Sequence, residues 1–496
     1  MTEPRRDEFP AADPICRTSA VELAAAIREG RLSARAVTEA YLDRIETVNP
    51  HVNAIVSLRP RADILAEADA ADAALAKGEA AGALHGLPIA IKDLAQTKGL
   101  RTTWGSPIFA DFVPKVDEFH VERIRAAGAI IIGKTNVPEF GFGSQTYNPV
   151  FGPTRNAFRA DLCAGGSSGG AAVALALDML PVADGSDMGG SLRNPAAYNN
   201  VYGFRPSQGR VPAGPSPEQF LSQMGVEGPM GRSVADVALL LSVQAGHDPR
   251  APLSLDAPSE DYLAALDDAG PKPRIAWFGD LGGRLPFEDG VLGLCEAALG
   301  SMDAAGWRTA PVLPEFDLEA FWRAFVTLRH AAGGASLKVH LDDPARRALL
   351  KPEAVWEAAG ALRLTAPQIH AASCVRTAWY QTVLRLFEDF DLIALPTAQV
   401  FPFDIATHWP SSVGGRAMDS YHRWMEVSAY ATMAGLPVLN VPVGFDVGGR
   451  PMGMQLIGPP RADRAVLQAG AAYEQVTPHG GGVRGKSRGP IRKDHP

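Results

Sequence analysis

A chain of 496 residues, 46% hydrophobic and 21% charged, can bury a large core and is too apolar for wholesale disorder. A net charge of -8 and a sequence pI near 5.8 exclude a general electrostatic pull towards phosphate backbones or anionic lipid, so neither nucleic acid nor membrane is an expected partner. Cys16, Cys163, Cys295 and Cys374 stand singly, with no CxxC pair and no zinc-type Cys/His spacing, and are expected to be reduced thiols.

The opening MTEPRRDEFPAADP has no apolar h-region, and the apolar runs are too short to cross a bilayer, so a cytoplasmic protein is expected. Helical patterns follow over 19–29, 33–48 and about 62–77, with Ser19 and Ser33 suited to N-caps and with Gly, Asn-Pro and Lys-Gly as stops. They define a helical segment, 1–78, packed on a body that spans 79–478. From His85 the texture changes to short apolar runs at 87–91, 129–132 and 180–183, separated by Gly-rich loops and helices, which is an α/β alternation. The run at 275–278, a helix near 291–302 and a run at 311–313 repeat it. Helical patterns then extend to about 390, strands are expected at 391–395 and 438–443, and a helix over 462–475 closes the body. Residues 479–496, rich in Gly and basic side chains, are expected to form a disordered tail.

Two motifs fail on context. GAIIIGKT at 128–135 satisfies GxxxxGK[ST], but three successive isoleucines favour a buried strand over a phosphate-cradling loop, and Asn136-Val137-Pro138 interrupts any immediate helix. GGSSG at 165–169 fits the nucleophile elbow, but PTRNAFRADLCA before it is no buried strand, which disfavours a Ser-His-Asp hydrolase.

Three further segments carry chemistry together: GLPIAIKDL around Lys92, AGGSSGG around Ser167 and GSDMGGSLRNPAA around Ser191. A serine hydroxyl becomes a nucleophile when a base takes its proton, and a lysine serves as that base when burial strips its charge. The apolar run before Lys92 points towards such burial. These segments, with GFRPSQGR at 203–210, resemble the amidase signature family, and the spacings from Lys92 to Ser167 and Ser191 fit it. The similarity covers roughly 19–473, including NVPEFGFGSQTYNPVFGPTRN and AGLPVLNVPVG. Phe204-Arg205 stands where many members have Leu-Lys, and the texture is similar to bacterial aryl-acylamidase or urethanase-type members.

The resemblance implies an α/β fold with a large mixed β-sheet core flanked by α-helices on both sides, and a Ser-cisSer-Lys triad. Ser191 would be the nucleophile, Ser167 the proton relay on a cis peptide bond, and Lys92 the base. The backbone N–H groups of Met188, Gly189, Gly190 and Ser191 would form the oxyanion hole, with glycines allowing the substrate carbonyl to approach the backbone. Ser168, Asp187 and Arg193 would support the loops. No cofactor and no metal are implied, the substrate would be a small amide or carbamate, and the enzyme would act as a monomer or homodimer. Candidate pocket residues are Phe142, Gly143, Ser144, Tyr147 and Arg210, with 209–223 and 321–330 as further walls. His330 and His340 are expected in packing or at the surface. Two rivals stay open: an amidotransferase A-type subunit that releases ammonia from glutamine within a tRNA-charging complex, and a catalytically silent scaffold.

Overall fold

Short runs of buried apolar residues build the strands, and the computed structural model describes them within residues 9–79, 81–221, 223–257, 260–268, 270 and 272–477. The tail expected at 479–496 lies outside the described residues. The strands are β1 (Ile55–Val56), β2 (Pro88–Lys92), β3 (Ile130–Thr135), β4 (Val182–Asp187), β5 (Tyr202–Arg205), β6 (Val226–Gly231), β7 (Arg274–Trp277), β8 (Arg308–Pro311), β9 (Leu392–Pro396), β10 (Ser412–Val413), β11 (Arg416–Ala417), β12 (Val438–Phe445) and β13 (Pro451–Ile457).

Eight of these form one mixed sheet in the order β4-β6-β5-β12-β13-β9-β7-β8, flanked by helices. Its pairs run antiparallel from β4 to β9 and parallel from β9 through β7 to β8. A separate three-stranded sheet, β1-β3-β2, was not anticipated from the sequence; β3 is its centre, parallel to β2 and antiparallel to β1. Lys92 ends β2 and so belongs to the small sheet, whereas Asp187 ends β4 at the edge of the large one. The site therefore forms where two sheets come together.

Local chemistry sets the N-terminal helices. Ser19 and Glu22 make a reciprocal capping box at the start of Ala20–Arg28, and the Ser33 hydroxyl accepts the Ala36 N–H at the start of Ala34–Val52. The second helix runs past the expected Asn-Pro stop and takes in Pro50, which leaves the Glu46 carbonyl without its usual helical N–H donor, and the helix ends three residues later. It ends at Asn53, which adopts φ +53°, while the Asn49 side chain accepts the Ala54 and Ile55 amides at 2.9 and 2.8 Å. Val37, Tyr41, Ile45 and Val48 face inward as the periodicity predicts, in an apolar cluster continuous with β2, β3 and the helix Gly169–Ala176.

The GAIIIGKT segment is strand β3, and the Lys134 ammonium is buried, donating to the Ala95 carbonyl at 2.5 Å and the Thr97 hydroxyl at 2.8 Å. No strand leads directly into the GGSSG turn, where among the described residues only isolated bridges at Arg155 and Leu162 occur. No described helix is long and apolar enough to cross a membrane.

Candidate active site

Burial makes Lys92 chemically unusual. Its side chain is wholly enclosed, with Nζ 2.9 Å from Ser167 Oγ, 2.9 Å from Ser186 Oγ and 3.2 Å from the Ser186 carbonyl oxygen. Burial pushes the ammonium down to about 8, against the opposing pull of Glu227, Asp184 and Asp187. A neutral amine has two N–H bonds and one lone pair. Ser186 offers acceptors for both N–H bonds, which leaves the lone pair for the Ser167 hydroxyl. Ser167 lies just before the helix Gly169–Ala176, and the Gly166–Ser167 peptide bond is cis.

Ser191 sits at the end of the 188–191 loop, between β4 and the helix Arg193–Tyr198. Its carbonyl accepts the Ser168 N–H at 3.2 Å, and its half-buried hydroxyl makes no hydrogen bond among the described residues. Catalytic contacts are commonly loose before substrate binds. The loop is organised by Asp187, whose carboxylate accepts from Gly189 N (3.2 Å), Gly190 N (2.9 Å) and Leu192 N (3.1 Å), and from Arg193 Nε and Nη2 (3.0 and 2.8 Å). Burial alone would raise the Asp187 carboxyl, but Arg193 and Arg205 hold it well below the usual carboxylate range.

The four amides expected as oxyanion donors differ in what they already bind. The Gly189 and Gly190 amides are already committed to Asp187, and the Met188 and Ser191 amides have no partner among the described residues. Both glycines are nonetheless required. They adopt φ +113° and +108°, and a Cβ on Gly190 would lie 2.9 Å from Ser428 Oγ. Gly190→Ala is expected to lower kcat by about a hundredfold or more, the scale of a lost oxyanion donor, because the loop must shift to relieve that contact. Steady-state kinetics beside a circular-dichroism check of folding would test this.

Arg193 is fully buried, and besides Asp187 it reaches the Ser428 carbonyl at 2.9 Å, Thr432 Oγ1 at 2.9 Å and Gln455 Oε1 at 2.5 Å. Ser168 is buried, with Oγ 3.5 Å from the Ser186 carbonyl. Arg205, noted in the sequence only as a departure from Leu-Lys, donates to the Asp187 carbonyl at 2.6 Å and carboxylate at 3.2 Å, and to the Met224 carbonyl at 3.0 Å. Two more clamps were not legible. Arg329 donates to the Met188 carbonyl at 2.8 Å, and the Ser428 hydroxyl donates to the Gly189 carbonyl at 2.7 Å.

A cavity opens at Ser191. Gly143 and Ser144 line it as expected, with Phe325 and Arg329 from the 321–330 wall and with Met188, Tyr421, His422 and Met425. The other three candidate pocket residues do not line this cavity. Phe142 points into a cluster with Leu337, Leu350, Ala354 and Ala358. The Tyr147 hydroxyl donates to Glu353 at 2.5 Å while its ring stacks on His408. Arg210 pairs with Asp463 at 3.0 Å, tying its loop to the helix Asp463–Val476. His330 and His340 are both buried, and His330 Nδ1 lies 2.8 Å from Glu357 Oε2. Arg329 is charge-balanced within the wall, with Nε 2.8 Å from Glu357 Oε1 and the Tyr421 hydroxyl donating to the same oxygen at 2.5 Å.

An enclosed lysine against one serine, with a second serine on an adjoining cavity, is an arrangement suited to hydrolysis with lysine in the place histidine usually takes. The Amidase family model matches residues 36–467. The chain is 34% identical to an acylamidase of Rhodococcus erythropolis, over 93% of this chain and 95% of that one. It is 36% identical to the A-type subunit of the glutamyl-tRNA(Gln) amidotransferase of Thermosynechococcus vestitus, over 90% and 95%. It is also similar to the solved structure of a bacterial aryl acylamidase of the amidase signature enzymes, with a TM-score of 0.88, 31% identity and coverage of 94% and 97%. The chain belongs to the amidase signature family and is a hydrolase acting on carbon–nitrogen bonds other than peptide bonds.

Proposed function

We propose that the chain hydrolyses small aryl amides or carbamates through an acyl-enzyme on Ser191, and the observation that carries this is the 2.9 Å contact between buried Lys92 Nζ and Ser167 Oγ. Neutral Lys92 takes the Ser167 proton as Ser167 takes the Ser191 proton, and Ser191 Oγ adds to the substrate carbonyl. The Met188 and Ser191 amides face the oxyanion. The protons then return along the same path to the nitrogen, the C–N bond breaks, and a neutral amine departs. Water repeats the sequence on the ester, releasing the acid and restoring Ser191. Lysine and two serines supply base, relay and nucleophile, so this reading calls for no cofactor.

The cavity wall supports a neutral, partly aromatic substrate. Phe325, Met188 and Met425 give it apolar surface, and the Arg329 guanidinium on it is already paired with Glu357. Glutamine, with an ammonium and a carboxylate to satisfy, finds no free charged partner among the described residues of this wall. The likeness to the A-type amidotransferase subunit keeps glutamine hydrolysis as the second reading. Incubating the purified chain with a short aliphatic amide, nitroacetanilide, a nitrophenyl carbamate and glutamine decides between them. Turnover of the anilide or carbamate is expected; ammonia from glutamine alone would sink the aryl-amide reading.

A further inference from the structure

Behind Lys92, away from the substrate cavity, lies a buried group of ionisable side chains that the triad chemistry leaves unused. Asp184, the third residue of β4, is fully enclosed; its Oδ1 accepts the Lys92 backbone N–H at 2.8 Å. Its other oxygen, Oδ2, lies 3.4 Å from Nε2 of His120, which sits near the start of the helix Phe119–Ala126 and is 1% exposed. His120 Nδ1 lies 3.8 Å from Glu118 Oε2. Such a group is costly to bury, and none of it touches the cavity that opens at Ser191.

We propose that Asp184, with His120 behind it, is the positioning residue of this reaction: it pins the end of β2 so that Lys92 meets Ser167, and the charge of the Asp184–His120 pair governs how readily Lys92 gives up its proton. This rests on Lys92 being the base. The geometry gives Asp184 two tasks that separate cleanly. One oxygen is a tether, because a hydrogen bond to the Lys92 backbone fixes where the side chain starts. The carboxylate is also a negative charge beside the ammonium, and it favours the protonated lysine. His120 partly cancels that charge. Neighbouring carboxylates keep the imidazole cationic, raising it to about 9 although enclosure alone would lower it. The other groups acting on Lys92 are Glu227, which stands opposite Ser186 on β6, and Asp187 at the end of β4.

The pair makes a signed prediction. Neutral Lys92 is the active form, so kcat/KM rises with pH as the lysine loses its proton. Asp184→Asn keeps an oxygen for the tether and removes the negative charge, so the acid limb should move down by roughly one pH unit. His120→Gln leaves the Asp184 charge uncancelled, and its limb should move up. KM for nitroacetanilide should change little in either variant, and the double variant should return the limb towards the wild-type position. Asp184→Ala, which loses tether and charge, should lose kcat beyond the Asn variant. Limbs that stay in place in both single variants, or that move the same way, would overturn the proposal. Loss of the acid limb's dependence on Lys92, seen as undiminished turnover in Lys92→Met, would instead remove the reading on which it rests.

Discussion

Ser191→Ala is expected to abolish turnover of any amide or carbamate the wild-type chain hydrolyses, lowering kcat by about 10⁴-fold or more, while leaving stability within about 0.5 kcal/mol. The two halves of this expectation have different physical origins. The Ser191 hydroxyl makes no hydrogen bond among the described residues, so its removal strands no buried partner. In the proposed mechanism all of its value lies in the bond it would form to the substrate. Lys92→Met keeps most of the volume, removes the base and should cost activity on a similar scale. Single-turnover assays beside denaturant titrations would separate the chemical loss from any folding loss.

Asp187→Ala is expected to be the most damaging substitution for the fold of the site, costing about 3–5 kcal/mol or more. It would leave two fully buried guanidinium groups, Arg193 and Arg205, without their shared carboxylate. It would also free the Gly189, Gly190 and Leu192 amides that the carboxylate gathers. A buried charge is tolerated here because both oxygens of Asp187 accept several hydrogen bonds, and that condition fails at once when the acid is removed. The expected readout is a fall in the denaturation midpoint, with little soluble protein at elevated temperature and no activity in what remains. A variant that stayed folded and active would mean that Arg193 and Arg205 find other partners.

The local chemistry of this chain was legible because its reactive residues sit in short glycine-rich segments whose residue types have few other uses. Lys92 Nζ meets Ser167 Oγ, the Ser191 carbonyl accepts the N–H of the neighbouring Ser168, and Asp187 and Arg193 hold the loop. The N-caps at Ser19 and Ser33 and the inward stripe of Val37, Tyr41, Ile45 and Val48 follow from helix geometry. The strands that escaped notice carry residues that strands avoid. β6 contains Gly228, Pro229 and Gly231, and β5 pairs only with Met230 and Gly231, so Pro229 faces β4 alone. β1 is two residues long and has no periodicity to detect.

The pocket was the least legible part, for a physical reason. Beyond Phe325 and Arg329, which fall in the 321–330 segment named as a wall, it takes Tyr421, His422 and Met425, which tertiary packing brings to Ser191 from far along the chain. Arg210 looked like a pocket residue because it follows a glycine on its loop, and Tyr147 because it closes the 142–147 loop. Asp463 and Glu353, distant in sequence, claim them instead. The tether from Asp184 to the Lys92 backbone had no sequence signal beyond the extra acid in ADGSD.

Labelling with a fluorophosphonate active-serine probe, followed by peptide mapping by mass spectrometry, tests the central claim most directly. Covalent label on Ser191 in the wild-type chain, and its loss in Lys92→Met, is the predicted result. Label on Ser167, or on Ser191 at an unchanged rate without the lysine, would contradict a Ser191 nucleophile activated through Ser167 by Lys92.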